Sequence, residues 1–127
     1  MKTIEGLLYT KEHEWLKVEG DKAYFGVTDY AQKALGDIVF IELPEVDSEY
    51  TAGDTFATIE SVKAASDIFI PVDGKIVEIN EAIVDDPALV NQDAYENWMV
   101  CIEISDKTQL NELMQAAEYE DFCSKEA

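Results

Sequence analysis

Apolar positions along the 127-residue chain recur mostly every second residue, in short runs divided by turn-forming residues, which is the pattern of half-buried strands. Leu7-Leu8-Tyr9 meets a turn at Thr10-Lys11-Glu12, and His13 to Glu19 then alternates with Trp15 and Leu16 as the inward candidates. Gly20-Asp21 turns the chain again and Lys22-Ala23-Tyr24-Phe25-Gly26-Val27 returns, so the opening predicts a meander of antiparallel pieces. The period changes after that. Thr28 offers a helix cap, Tyr30, Ala31, Ala34 and Leu35 are spaced to face a core, and Gly36 stands where a left-handed residue ends a helix. Asp37 to Leu43 predicts a strand closed by Pro44, Thr55 to Ile59 and Asp67 to Ile70 two more, and Gly74 to Asn80 and Met99 to Ile104 the last pair. Asp85 to Asn97 is polar and proline-broken, and predicts a loop. Thr108 caps a second helix, with Leu110, Leu113, Met114 and Ala117 on one face and Tyr119 and Phe122 in a further turn. The expected fold is mostly β, with short helices near 28–35 and 108–122, in one domain over 1–127.

Two features refine this. Gly36-x-Ile38-Val39-x-Ile41 is echoed by Gly74-x-Ile76-Val77-x-Ile79, and Gly53 is matched in the second unit by Asn91, another residue that tolerates positive φ. Two halves related by approximate symmetry account for the echo, and so does chance in a β-rich chain. Between Thr55 to Ile59 and Asp67 to Ile70 lies Glu60-Ser61-Val62-Lys63-Ala64, which predicts a hairpin with Lys63 at its tip. The tip contains no Gly, Asn or Pro, and Ala64-Ala65-Ser66 equally tolerates a helix.

Charge narrows the function classes. Twenty-eight acidic residues against nine basic ones give a formal net charge of −19, which repels phosphate backbones and argues against a nucleic-acid partner. Every basic residue is a lysine, so no guanidinium clamp for phosphate or carboxylate exists. The acidity serves solubility, or steering towards basic partners. No apolar run is long enough to cross a bilayer and Met1-Lys2-Thr3-Ile4-Glu5 opens no signal-like segment. The expectation is a monomer without membrane contact, cytoplasmic if prokaryotic, or in the mitochondrial matrix, already processed, if eukaryotic.

The catalytic inventory is thin. Cys101 and Cys123 lack metal-ligand spacing and are expected to be structural thiols, and His13, the one histidine, four residues beyond Tyr9 and beside Trp15, is expected to be a packed or hydrogen-bonded ring. No nucleophile motif, phosphate loop or metal cluster is present, and acidic pairs carry no information in so acidic a chain. Lys63 is distinguished only by its small uncharged neighbours Ser61, Ala64 and Ala65, which leave its amine accessible; read alone, it is a solvated surface charge.

Glu60-Ser61-Val62-Lys63-Ala64-Ala65-Ser66-Asp67 resembles the lipoyl-lysine segment of the glycine cleavage system H-protein family. The likeness extends to His13-Glu14-Trp15, Gly26-Val27-Thr28, Ala31-Gln32, Leu35-Gly36-Asp37, Val39-Phe40-Ile41-Glu42-Leu43-Pro44, Pro71-Val72-Asp73-Gly74 and Leu89-Val90-Asn91, nearly the whole chain. The resemblance implies a lipoyl-type barrel-sandwich hybrid of two antiparallel sheets, with lipoate in amide linkage to Lys63. It implies that a lipoate-attaching enzyme recognises Glu60, Ser61, Val62 and Ala64, and that Glu14 and Asp67 line a cleft for the loaded arm. It further implies a non-catalytic carrier that takes an aminomethyl group from the pyridoxal-phosphate-dependent P protein to the tetrahydrofolate-dependent T protein. Electrons then pass to the flavin-containing L protein, a dihydrolipoamide dehydrogenase.

One segment departs from the family. Asp93-Ala94-Tyr95-Glu96-Asn97-Trp98 lacks the proline and the glycine usual there, which puts the loop's shape in question. Three other readings compete. An H-like protein that relays lipoate to other proteins would look the same around Lys63. A biotin carrier would place Met on both sides of the lysine, where Val62 and Ala64 stand, and an enzyme using a free Lys63 amine needs a desolvated lysine rather than an acidic exposed tip.

Overall fold

The computed structural model describes residues 2–126. Six strands form one antiparallel sheet: β1 (Leu8–Tyr9), β2 (Glu14–Glu19), β3 (Lys22–Val27), β9 (Val100–Ile104), β8 (Gly74–Ile79) and β5 (Glu49–Tyr50), in that spatial order. The second sheet has β4 (Ile38–Glu42), β6 (Thr55–Ser61) and β7 (Ala65–Phe69). Alternation along most of the strands turns one face inward. Leu16, Phe25, Ile76 and Ile102 of the larger sheet and Ile38, Ile41, Ile59 and Ile68 of the smaller one close on one another as a single apolar cluster. Across it the rings of Phe25 and Phe56 meet at 4.8 Å between centroids.

Helix α1 (Asp29–Leu35) forms as its caps require: the Thr28 hydroxyl accepts from Ala31 N, and Gly36 ends the helix at φ 79. Its inner face differs from expectation. Gln32 is buried and Ala34 is exposed, because the Gln32 amide is engaged at both ends, donating to Asp29 and accepting from Asn91.

A second, aromatic cluster docks helix α4 (Ala116–Glu126) on β1 and β2 through Tyr9, Trp15, Tyr119 and Cys123. Tyr9 and Tyr119 stack at 4.6 Å. The buried Tyr119 hydroxyl lies 2.7 Å from the Thr28 hydroxyl and 2.8 Å from His13 Nδ1, tying α4 to α1 and to the start of β2. Tyr119→Phe is therefore expected to destabilise the fold by about 1–3 kcal/mol, since it leaves two partners unsatisfied away from water. Urea unfolding measures this, and a loss below about 0.5 kcal/mol would mean that the network does not restrain α4.

The structure corrects three expectations. The helix from Thr108 does not form: Asp106, not Thr108, caps a 3-10 turn at Lys107–Glu112, and the chain runs extended at Met114 to bridge Tyr9 before α4 begins. The buried face of α4 is Ala116, Tyr119 and Cys123, with Ala117 exposed, while Leu110 and Leu113 pack on the main core from outside the helix. The segment expected as a loop holds helices α2 (Glu81–Asp85) and α3 (Ala88–Gln92), and Asn91 is helical rather than a positive-φ match for Gly53. The echo itself places β4 and β8 in different sheets, β4 antiparallel to β6 and β8 to β9.

The atypical 93–98 segment is ordered without proline or glycine. The Asp93 carboxylate accepts from Tyr95 N and Glu96 N, and the Asn97 amide donates to the carbonyls of Leu89 and Asp93. Trp15 Nε1 donates to Ala94 O, which fixes the turn against β2. Among the described residues no helix is long and apolar enough to cross a membrane.

Candidate functional site

Strands β6 and β7 form a hairpin in register to Glu60↔Ala65, and Lys63 stands at its exposed tip. The turn needs no glycine because Ser61 supplies the missing partners. Its hydroxyl accepts from Lys63 N at 3.2 Å and Ala64 N at 3.1 Å, while Ser61 N donates to Ala64 O at 2.8 Å. Its role is visible only in these hydrogen bonds, because a serine is a weaker turn signal than glycine or asparagine.

The tip is anchored from below. Val62 N donates to Asp37 O at 3.0 Å, so the turn rests on the segment joining α1 to β4. Asn91 holds that segment on both sides: its Oδ1 accepts from Ile38 N at 2.9 Å and its Nδ2 donates to Gly36 O at 2.8 Å. Gly36 is required by its backbone, at φ 79, and a Cβ there would also press on the flexible Lys63 side chain, 2.9 Å from its Cε. The lysine stem thus crosses bare backbone. Among the described residues Lys63 makes no ion pair, and its amine faces solvent. An acyl chain in amide linkage fits such an amine, because nothing has to move to admit it. Asn91 and Gly36 acquire this role only through the packing of α3 against β4.

Glu60 is exposed on β6 opposite Phe40, Val62 and Ala64 are exposed beside the lysine, and Ser61 is half-buried beneath it. Asp67 is exposed on β7 and helps to line a cavity of about 320 Å³ with Glu12, His13, Ala31, Leu35 and Phe69. Glu14 is only 2% exposed. Its carboxylate accepts from Phe69 N at 2.9 Å and from the Thr10 hydroxyl at 3.3 Å, and it lines a neighbouring cavity of about 440 Å³. The two cavities share Glu12 and Phe69 as walls. Burial pushes the Glu14 carboxyl up to about 8 against the pull of its two donors, and the nearby Glu12 charge adds to the rise.

His13 is packed and hydrogen-bonded, as expected. It holds a left-handed φ of 68, stacks on Tyr30 at 4.3 Å and places Nε2 2.8 Å from Glu126. Cys123 Sγ lies 4.0 Å from its Nδ1, an arrangement that superficially suggests Cys-His-acid chemistry. It does not fit a nucleophile: Nδ1 is taken by the Tyr119 hydroxyl, Cys123 is buried, and burial pushes its thiol up. Cys101 is likewise buried in β9 with its thiol raised by burial.

The family model described as "Glycine cleavage H-protein" matches residues 7–126. The chain is 62% identical over 126 residues to the glycine cleavage system H protein of Thermoanaerobacter pseudethanolicus, covering 99% of this chain and 100% of that one. It is 55% identical over 127 residues to that of Alkaliphilus oremlandii, covering all of both. The crystal structure of a glycine cleavage system H protein from Mycobacterium marinum superposes with a TM-score of 0.88 at 36% identity, over 96% of this chain and 99% of that one. With the two-sheet fold, the lysine-tipped hairpin and full-length identity in agreement, the chain belongs to the glycine cleavage H-protein family, the lipoate-carrying proteins of that system.

Proposed function

We propose that Lys63 is the attachment point for lipoate and that the protein serves as a non-catalytic carrier. On this reading the aminomethyl group of glycine travels from the P protein to the T protein, and electrons pass to the L protein. The observation that carries it is the uncovered amine of Lys63 at the end of an ordered hairpin, with Ser61 closing the turn and Asp37 holding it from below. A lipoyl group would add a reversible two-electron disulfide couple at the end of a long arm, which suits one carrier visiting three active sites. The chain's own work is to hold that arm's base rigid and accessible. Glu60, Ser61, Val62 and Ala64 are the residues that the lipoate-attaching enzyme would read, because they surround the amine it must reach.

Glu14 and Asp67 are assigned to the cleft that receives the loaded arm, whose amine is cationic. A carboxylate beside a cation is stabilised as the charged form, so either residue is chemically suited to the role. The bacterial relatives accord with a cytoplasmic site of action.

Reconstitution tests the reading. Lipoylated protein mixed with the P protein and glycine is expected to release carbon dioxide, and to release ammonia once the T protein and tetrahydrofolate are added. Lipoylation at Lys63 without any glycine decarboxylation would assign the protein to lipoate relay instead.

A further inference from the structure

The three-stranded sheet has an outer face whose composition follows from its register. One row runs Phe40, Glu60, Ala65 and the next Glu42, Thr58, Asp67, so each of the three strands contributes a carboxylate. Along β4 the alternation fails. An irregularity between Ile38 and Phe40 turns both Val39 and Phe40 outward, 56% and 46% exposed, while Ile38 and Ile41 remain in the core. Val62, 66% exposed, lies at the same end of the sheet: its N–H bonds Asp37 O, two residues before Val39, and the preceding Ser61 pairs with Ile38. The result is an apolar centre with Asp37, Glu42 and Glu60 exposed around it, directly beside Lys63. Exposing a valine and a phenylalanine side by side gains nothing for the fold, and such a patch with a polar rim is the anatomy of an interface.

We infer that Val39, Phe40 and Val62, with Glu42 and Glu60 at their edge, form a docking surface for the enzyme that acylates Lys63, whose matching face carries basic residues around an apolar centre. This rests on the carrier reading. Two observations select that occupant. The rim is acidic on a chain of net charge −19, which favours a basic partner and disfavours a second copy of the same acidic face. The patch also abuts the amine itself: an enzyme working on the far end of an arm meets the carrier at arm's length, whereas one that builds the amide must bring its acyl carbon into contact with Nζ. In that step the Nζ–carbon bond forms, the bond from the acyl carbon to AMP breaks with AMP keeping the electron pair, and Nζ gives a proton to solvent. ATP supplies the activation and nothing is oxidised or reduced.

The test uses the full-length unmodified chain with a lipoate-protein ligase, lipoic acid and ATP, following mass gain at Lys63. Phe40→Ala is expected to raise the KM for this protein about tenfold with kcat nearly unchanged, as for loss of an aromatic anchor, and Phe40→Leu to restore most of it. Glu42→Lys should raise KM and flatten its salt dependence. Because both positions are solvent-facing, unfolding midpoints should match wild type. Wild-type acylation with an unaltered KM for Phe40→Ala would overturn the surface while leaving the carrier reading intact; no acylation of wild type at Lys63 would end the carrier reading instead. A KM rise confined to glycine decarboxylation by preloaded protein would give the face to the enzymes that use the arm, and a concentration-dependent dimer abolished by Phe40→Ala would give it to a second copy; either overturns the inference.

Discussion

Lys63→Arg is expected to abolish glycine decarboxylation supported by this protein, along with any lipoyl mass gain, while leaving the fold untouched. The guanidinium stays protonated and delocalised at every working pH, so it offers no free amine to acylate, although it preserves charge and length. The folded state should not notice the change. Lys63 is exposed, makes no ion pair among the described residues, and touches the rest of the protein mainly where its stem crosses Gly36. A surface position of that kind shifts stability by no more than about 0.5 kcal/mol. The prediction is therefore a complete functional loss at constant unfolding midpoint. Loss of both would mean that the hairpin depends on this side chain, and retention of activity would mean that another residue carries the arm.

The second large effect concerns Glu14 and pH. With its carboxyl raised from an ordinary 4.5 to about 8 by burial, the folded chain keeps a proton that the unfolded chain has already released. Between those values the native state binds more protons, so the contribution of Glu14 to stability falls as pH rises from about 4.5 and levels off above about 8. Glu14→Gln removes this dependence and keeps the shape: its amide oxygen can accept from Phe69 N and its NH2 can donate to the Thr10 hydroxyl. Relative to wild type, the variant is expected to gain roughly 3–4 kcal/mol of stability between pH 5 and pH 8. Urea unfolding of both proteins across that range reads the difference directly. Parallel curves would show that Glu14 is ionised in the fold throughout. An ammonium brought against this carboxyl would pull its proton affinity back down, which is the physical link between its burial and its assignment to the arm cleft.

The strands were legible because their apolar residues mostly alternate against a common core: Leu16, Phe25 and Val27, Ile76 and Ile102 all point inward. The first helix was legible from Thr28 and Gly36, whose capping roles are local. What escaped depends on contacts distant in sequence. Gln32 is buried because Asn91 meets it, and Asn91 is helical because α3 packs across the start of β4. Leu110 and Leu113 have helical spacing, yet Met114 is drawn into a bridge with Tyr9, so the C-terminal α-helix begins only at Ala116. At the site, Lys63 and its neighbours were read from the family's motif, while the hydroxyl of Ser61 that shapes the turn is visible only in its hydrogen bonds. The outward pair Val39 and Phe40 breaks the alternation of an otherwise regular strand, and only the pairing of β4 with β6 shows that an irregularity causes it.

Peptide mapping by mass spectrometry of protein purified from its native source tests the central claim most directly. The account predicts a lipoyl increment on the peptide containing Lys63 and on none of the other eight lysine positions among the nine basic residues of the chain. An increment on a different lysine, or fully active protein carrying none, would contradict it.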